Sequence, residues 1–114
     1  MAAKAGDLLQ GTLGTLILKA LLAGPSHGYG IARWVEAAAA DVLQIEEGSL
    51  YPALRRLEDS GWVTSEWGAS ENNRRARFYR LTAAGRRHLR AEAALWFRYA
   101  AAVTRVLHAE PSLG

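Results

Sequence analysis

At Gly61 the apolar spacing of the chain changes from that of a helix to that of a strand. Upstream, in "GSLYPALRRLEDSGW", Leu50, Leu54 and Leu57 recur at i, i+4 and i+7, which is one face of an α-helix. Downstream, "WVTSEW" and "ARFYRLT" alternate as half-buried strands do. The intervening "GASENNRR" is polar and rich in turn residues, so the two strands read as a β-hairpin with a basic tip. In this reading Ser49 is the N-cap of the helix over Gly48–Ser60. Pro52 then falls in the first turn, where a missing N–H matters least, and Gly61 ends the helix.

The rest of the chain reads as helices. From Asp7, a reasonable N-cap, to about Ala23, the residues Leu9, Leu13, Leu16, Ile17, Ala20 and Leu21 share a face, and Gly24-Pro25 is a stop signal. Ser26 is the expected cap of a second helix, "HGYGIARWVEAAAA", with Ile31, Ala32 and Val35 turned inward. Gly28 sits in its first turn, and Gly30 implies close packing against a neighbour. "DVLQIEE" reads as a turn or brief strand, and Thr82 caps a last helix running to about Ala109. The order is helix, helix, turn, helix, hairpin, long helix. That is a mainly α fold with a small β-hairpin, the winged helix-turn-helix plan. Residues 1–82 would form the winged unit. Residues 83–114 would form a C-terminal dimerisation helix with a short tail, the whole being one compact domain.

Several function classes fall away. Without cysteine there is no disulfide or thiolate metal site. His27, His88 and His108 are scattered, with no metal spacing, and no G-x-S-x-G is present. The adjacent carboxylates Glu46-Glu47 and Glu58-Asp59 diverge on a helix. We therefore expect no enzyme, no metal and no cofactor. The most apolar stretch, "LGTLILKALLAG", is broken by Lys19 and too short to span a bilayer. The N-terminus has no signal-type apolar core, so a cytoplasmic protein with no membrane partner is expected.

The net charge is only +3, but it is unevenly placed: Arg74, Arg75, Arg77, Arg80, Arg86, Arg87 and Arg90 follow one another with no acidic residue among them. On the helix before the hairpin, Ser49, Pro52, Ala53 and Arg56 form the stripe opposite the core face, flanked by Tyr51 and Arg55. Small residues there admit a base-pair edge, and arginine pairs with guanine or phosphate. Asn72, Asn73, Arg74 and Arg75 at the hairpin tip, with Arg77 beside them, have the chemistry of a wing on the DNA backbone or minor groove. Either piece alone also fits a plain solvated surface. Together and in this order they point to double-stranded DNA. Glu46 and Glu47 suit a helix N-terminus and receive no DNA role.

The last helix carries two apolar stripes. Leu89, Ala93, Trp96, Ala100, Val103 and Leu107 are spaced as a coiled-coil seam, and Leu95, Tyr99, Ala102 and Val106 form a second. If one packs on the first helix, the other needs a partner, which points to a homodimer. The alternative is one wide face buried within the monomer. Trp96, between two-fold-related helices, is a candidate to stack on a flat ligand; an interface tryptophan without ligand is the plainer reading.

"HGYGI" at His27–Ile31, "EGSLYPALRRLEDSGWV" at Glu47–Val63 and "NNRRARFYRLTAAG" at Asn72–Gly85 resemble, in order and spacing, the signature blocks of the PadR-like transcriptional regulators. The likeness covers roughly Leu8 to Leu89, and the single last helix resembles the family's short type. The resemblance implies a winged-helix DNA-binding homodimer, usually a repressor, made by the C-terminal helix. It points to Tyr51 and its neighbours for DNA and to the Arg74–Arg77 region for the wing. It also implies a small-molecule effector, flat and aromatic in some short members. The competing reading is a dimeric winged-helix adaptor that binds a protein or small aromatic ligand without an operator.

Overall fold

The computed structural model describes residues 11–112. In chain order they form α1 (Leu13–Ala20), a 3₁₀ turn (Leu21–Ala23), β1 (Ser26–His27), α2 (Gly28–Ala38), α3 (Glu47–Asp59), β2 (Val63–Ala69), β3 (Arg75–Leu81) and α4 (Ala83–His108). The mainly helical, winged plan expected from the sequence is present, with the long C-terminal helix. Asp7 and Leu9, expected in the first helix, lie outside the described residues.

α1 is the central element, in contact with α2, α3 and α4. It therefore buries more than one face. Leu13, Ile17 and Leu21 are buried as expected, and so is Leu18, which the single-face reading left out. Leu16 and Ala20, expected inward, are only partly covered and pack at the margin of the core. Ile31 and Val35 from α2, Leu50, Leu54 and Leu57 from α3, and Val63 from β2 complete the centre.

The sheet has three strands, not two, in the order β1-β3-β2. Ser26 pairs with Tyr79 and His27 with Phe78, antiparallel. Because Ser26 is drawn into the sheet, it does not cap α2. His27 does, its Nδ1 accepting the Gly30 N–H at 3.0 Å. The expected close neighbours of Gly30 are Ser26 and the capping His27: a Cβ there would stand 2.6 Å from Ser26 Oγ and 3.3 Å from His27 Cε1.

The N-cap of α3 lies three residues earlier than expected, at Glu46 and not Ser49. Pro52 is thus the sixth residue of the helix, in its second turn. It can offer no N–H to the carbonyl of Gly48, which is exposed to water. The C-terminus is a Schellman motif: Trp62 N–H bonds to Leu57 O and Gly61 N–H to Glu58 O, both at 3.0 Å, with Gly61 at φ 78°.

The hairpin register runs from Val63 opposite Leu81 to Ala69 opposite Arg75. Its tip is closed by Ser70 N–H to Arg74 O and Asn73 N–H to Ser70 O, each 2.8 Å, with Asn73 in the left-handed region. Thr82 caps α4 as expected: its Oγ1 accepts the Gly85 N–H at 3.0 Å and donates to Gly61 O at 2.8 Å. The helix therefore leaves from the same corner that ends α3. Only Gly85 and Leu89 of α4 are buried, and the molecule measures 64 × 30 × 21 Å because the rest of that helix projects. None of the described helices is long and apolar enough to cross a membrane.

Candidate nucleic-acid interface

A cleft of about 880 Å³ opens between the start of α2, the Tyr51 side chain of α3 and the hairpin. The packing that fixes α3 also fixes what it shows. Leu50, Leu54 and Leu57 hold one side in the core, which leaves Tyr51, Pro52, Arg55 and Arg56 exposed and Ser49 half-covered. Ala53 departs from the expected stripe. It is 2% exposed and belongs to the core, because α3 is wedged between α1, α2 and β2 and buries a wider arc than three leucines mark. It offers nothing to a base pair.

Tyr51 is seated by its neighbour. The ring lies over Gly28, where a Cβ would stand 2.9 Å from the phenol oxygen. The glycine whose cost looked merely tolerable at the first turn is the floor on which this side chain rests. Tyr29 and Arg33 continue the cleft wall along α2, with the Arg33 guanidinium 5.5 Å from the Tyr29 ring centre.

The hairpin supplies the opposite wall. Asn72, Arg74, Arg75 and Arg77 line the cleft, and Asn73 sits exposed at the tip. Trp67 stands among them, with Arg75 4.6 Å and Arg77 5.5 Å from its ring centre. Sequence reasoning gave Trp67 no role. The signal available was its register, directly opposite Arg77 and on the same face. Tyr79, farther down that face, is buried, and burial raises its phenol above the ordinary value, with Arg77 pulling the other way.

The run of arginines is divided by the strand pleat. Arg80 turns to the other face of the hairpin, 3.9 Å from Glu66, and Arg90 lies against the α1–α4 groove. Arg55, Arg56, Arg74 and Arg75 make no ion pair among the described residues, whereas Arg77 is 3.7 Å from Glu58. α3 and the hairpin tip thus both present arginines that make no ion pair among the described residues.

A second concavity, about 570 Å³ and mainly apolar, runs between α1 and α4. Leu16, Leu22, Leu89, Ala93, Trp96 and Phe97 line it. Of the first α4 stripe, Leu89 is buried and Ala93 and Ala100 are half-covered, while Trp96, Val103 and Leu107 are exposed. Leu95, Tyr99 and Val106 of the second stripe are exposed as well, so the monomer does not bury either stripe over its length. Phe97, on neither stripe and 69% exposed, joins Trp96 at the groove.

The comparisons with known proteins agree with this architecture. Residues 17–91 match the model of the transcriptional regulator PadR-like family. A transcriptional regulator from Clostridium thermocellum superposes with a TM-score of 0.78 at 29% identity, over 87% of this chain and 96% of that one. A PadR family transcriptional regulator from Eggerthella lenta superposes with a TM-score of 0.75 at 34% identity, over 91% and 88%. A Lysinibacillus sphaericus protein described as uncharacterised is 28% identical over 83 residues, 73% of this chain and 76% of its own. With its fold, its three sequence blocks and the family match in agreement, the chain belongs to the PadR-like family of transcriptional regulators.

Proposed function

We propose that the protein is a homodimeric repressor that binds a two-fold DNA operator. One observation carries this: Tyr51 of α3 and Arg74 and Arg75 of the hairpin line a single concavity, so the reading helix and the wing face the same partner. Ser49, Tyr51, Pro52, Arg55 and Arg56 enter the major groove or its rim. Asn72, Asn73, Arg74 and Arg75 follow the backbone beside it. Leu89, expected on the seam of α4, is buried within the protomer and has no surface to offer. α4 supplies the dimer contact through Ala93, Trp96, Ala100, Val103 and Leu107. Its exposed apolar length supports that role, since such a stripe is costly in water. The two reading heads then sit about one helical turn of DNA apart, or a multiple of it, and block a promoter.

A small aromatic effector would occupy the groove beside Trp96 and Phe97. By favouring one angle of α4 against the winged unit it would change the separation of the heads and release the operator.

The test is selection from random duplex DNA on the purified protein. An inverted repeat with half-sites one or two turns apart is the expected result. A folded, dimeric protein that enriches no sequence would favour the adaptor reading, in which the groove at Trp96 is the working site.

A further inference from the structure

We propose that Arg77 is a positioning residue of the wing and not a phosphate ligand, held by Glu58 so that Trp67 and Arg75 meet the DNA backbone at a fixed place. This rests on the DNA-binding reading of the same face. The observations concern what already occupies the Arg77 guanidinium. Its Nε donates to Ser65 Oγ at 2.8 Å, and the Ser65 hydroxyl donates onward to Glu58 Oε2 at 2.5 Å. Arg77 Nη2 lies 3.7 Å from the same carboxylate oxygen. The guanidinium carbon of Arg77 also lies 5.5 Å from the Trp67 ring centre, against 4.6 Å for that of Arg75.

Three elements meet in this chain of contacts. Glu58 stands near the end of the reading helix, Ser65 and Trp67 on β2, and Arg77 on β3. The link thus runs from the helix that enters the groove to the strand that carries the wing. Charge makes the assignment sharper. Beside Glu58, Arg77 is half of a neutral pair and has little net attraction for phosphate. Arg75 makes no ion pair among the described residues and lies against the indole, so its charge is available. Glu58 is not among the residues that line the cleft, so its contacts with Ser65 and Arg77 tie the hairpin to the reading helix from beside it. The fork of the guanidinium is what permits the two simultaneous contacts, and a lysine ammonium on its flexible stem does not reproduce them.

The test is affinity for a mixed-sequence duplex of about 40 base pairs, measured over a range of salt. Each phosphate contact contributes about 0.9 to the slope of log affinity against log salt. Arg75→Gln is expected to lower that slope by about 0.9 per bound protomer. Arg77→Gln is expected to weaken binding about fivefold at every salt and leave the slope unchanged. Arg77→Lys, which keeps the charge, should bind as weakly as Arg77→Gln. Glu58→Gln should weaken binding although it removes a negative charge. The Glu58→Gln, Arg77→Gln double variant should be no weaker than the weaker single. Ser65→Ala, a milder break in the same link, should follow Glu58→Gln and serves where a charge variant does not fold.

The role is overturned if Arg77→Gln loses as much slope as Arg75→Gln, if Arg77→Lys restores binding, or if Glu58→Gln binds more tightly with a steeper slope. A wild-type protein with no affinity for duplex DNA would remove the regulator reading and this role with it. A wild-type protein that binds, with the variant pattern reversed, would remove this role alone.

Discussion

The Glu36 carboxylate reaches across a turn to accept the backbone N–H of Ile45 at 2.8 Å, while its other oxygen pairs with Arg33 one turn back on α2. Glu36 is 5% exposed, a buried charge satisfied on both oxygens. It ties the end of α2 to the segment that delivers α3, across a turn in which Ala40 and Asp41 take left-handed conformations. A hydrogen bond to a buried charged group contributes about 1.5–3 kcal/mol. Glu36→Ala should therefore destabilise the fold by about 2 kcal/mol. Chemical denaturation of the two proteins checks this, and an unchanged midpoint would refute the tie.

Gly28→Ala should separate stability from DNA affinity. Alanine is the better helix former, by about 1 kcal/mol in a helix interior and by less at a first residue such as Gly28, so the fold has little to lose. The added methyl would stand 2.9 Å from the Tyr51 hydroxyl and push the ring out of its seat. Affinity for the selected operator should fall about tenfold while the melting temperature holds, a pairing that calorimetry and a binding titration read directly.

Val103 lies on the α4 stripe assigned to the dimer and is exposed in the protomer. A charge buried there in an interface has no partner and costs several kcal/mol. Val103→Glu should therefore convert the proposed dimer to monomers at micromolar concentration, as sedimentation velocity would show. Wild-type melting temperature should rise with protein concentration, because the associated state binds only folded chains. A sharper loss of association on changing Tyr99 would transfer the interface to the second stripe.

Tyr79 gives a pH prediction. Burial raises its phenol above the ordinary value, so in the folded protein it gives up its proton later than in the unfolded chain. Above about pH 10 the unfolded chain has lost a proton that the native state still holds. Stability is thus unaffected below that pH and declines as pH rises through the folded value. Tyr79→Phe should flatten this alkaline limb, as denaturation at a series of alkaline pH values would reveal.

Much of this molecule could be read from spacing alone, since Leu50, Leu54 and Leu57 and the alternation of the hairpin report burial directly. What escaped was set by contacts between distant segments. The two-residue β1 has no periodicity of its own and exists because Ser26 and His27 meet Tyr79 and Phe78. Ala53 looked like a small groove-facing residue, and only the crowding of three neighbouring elements puts it inside. At the candidate site, Tyr51 and the wing arginines were legible as residue types in order. The seat at Gly28 and the path from Glu58 through Ser65 to Arg77 were not, because they join residues from different elements whose register no local pattern encodes.

α4 is a lever. Its 26 residues make a rod of about 39 Å, fixed to the body only near Gly85 and Leu89. A turn of about five degrees at that foot carries the far end through about 3 Å. The apolar groove lies along the near half of the rod, at Leu89, Ala93, Trp96 and Phe97, so a movement there of less than the width of an atom is magnified about two- to threefold at the far end.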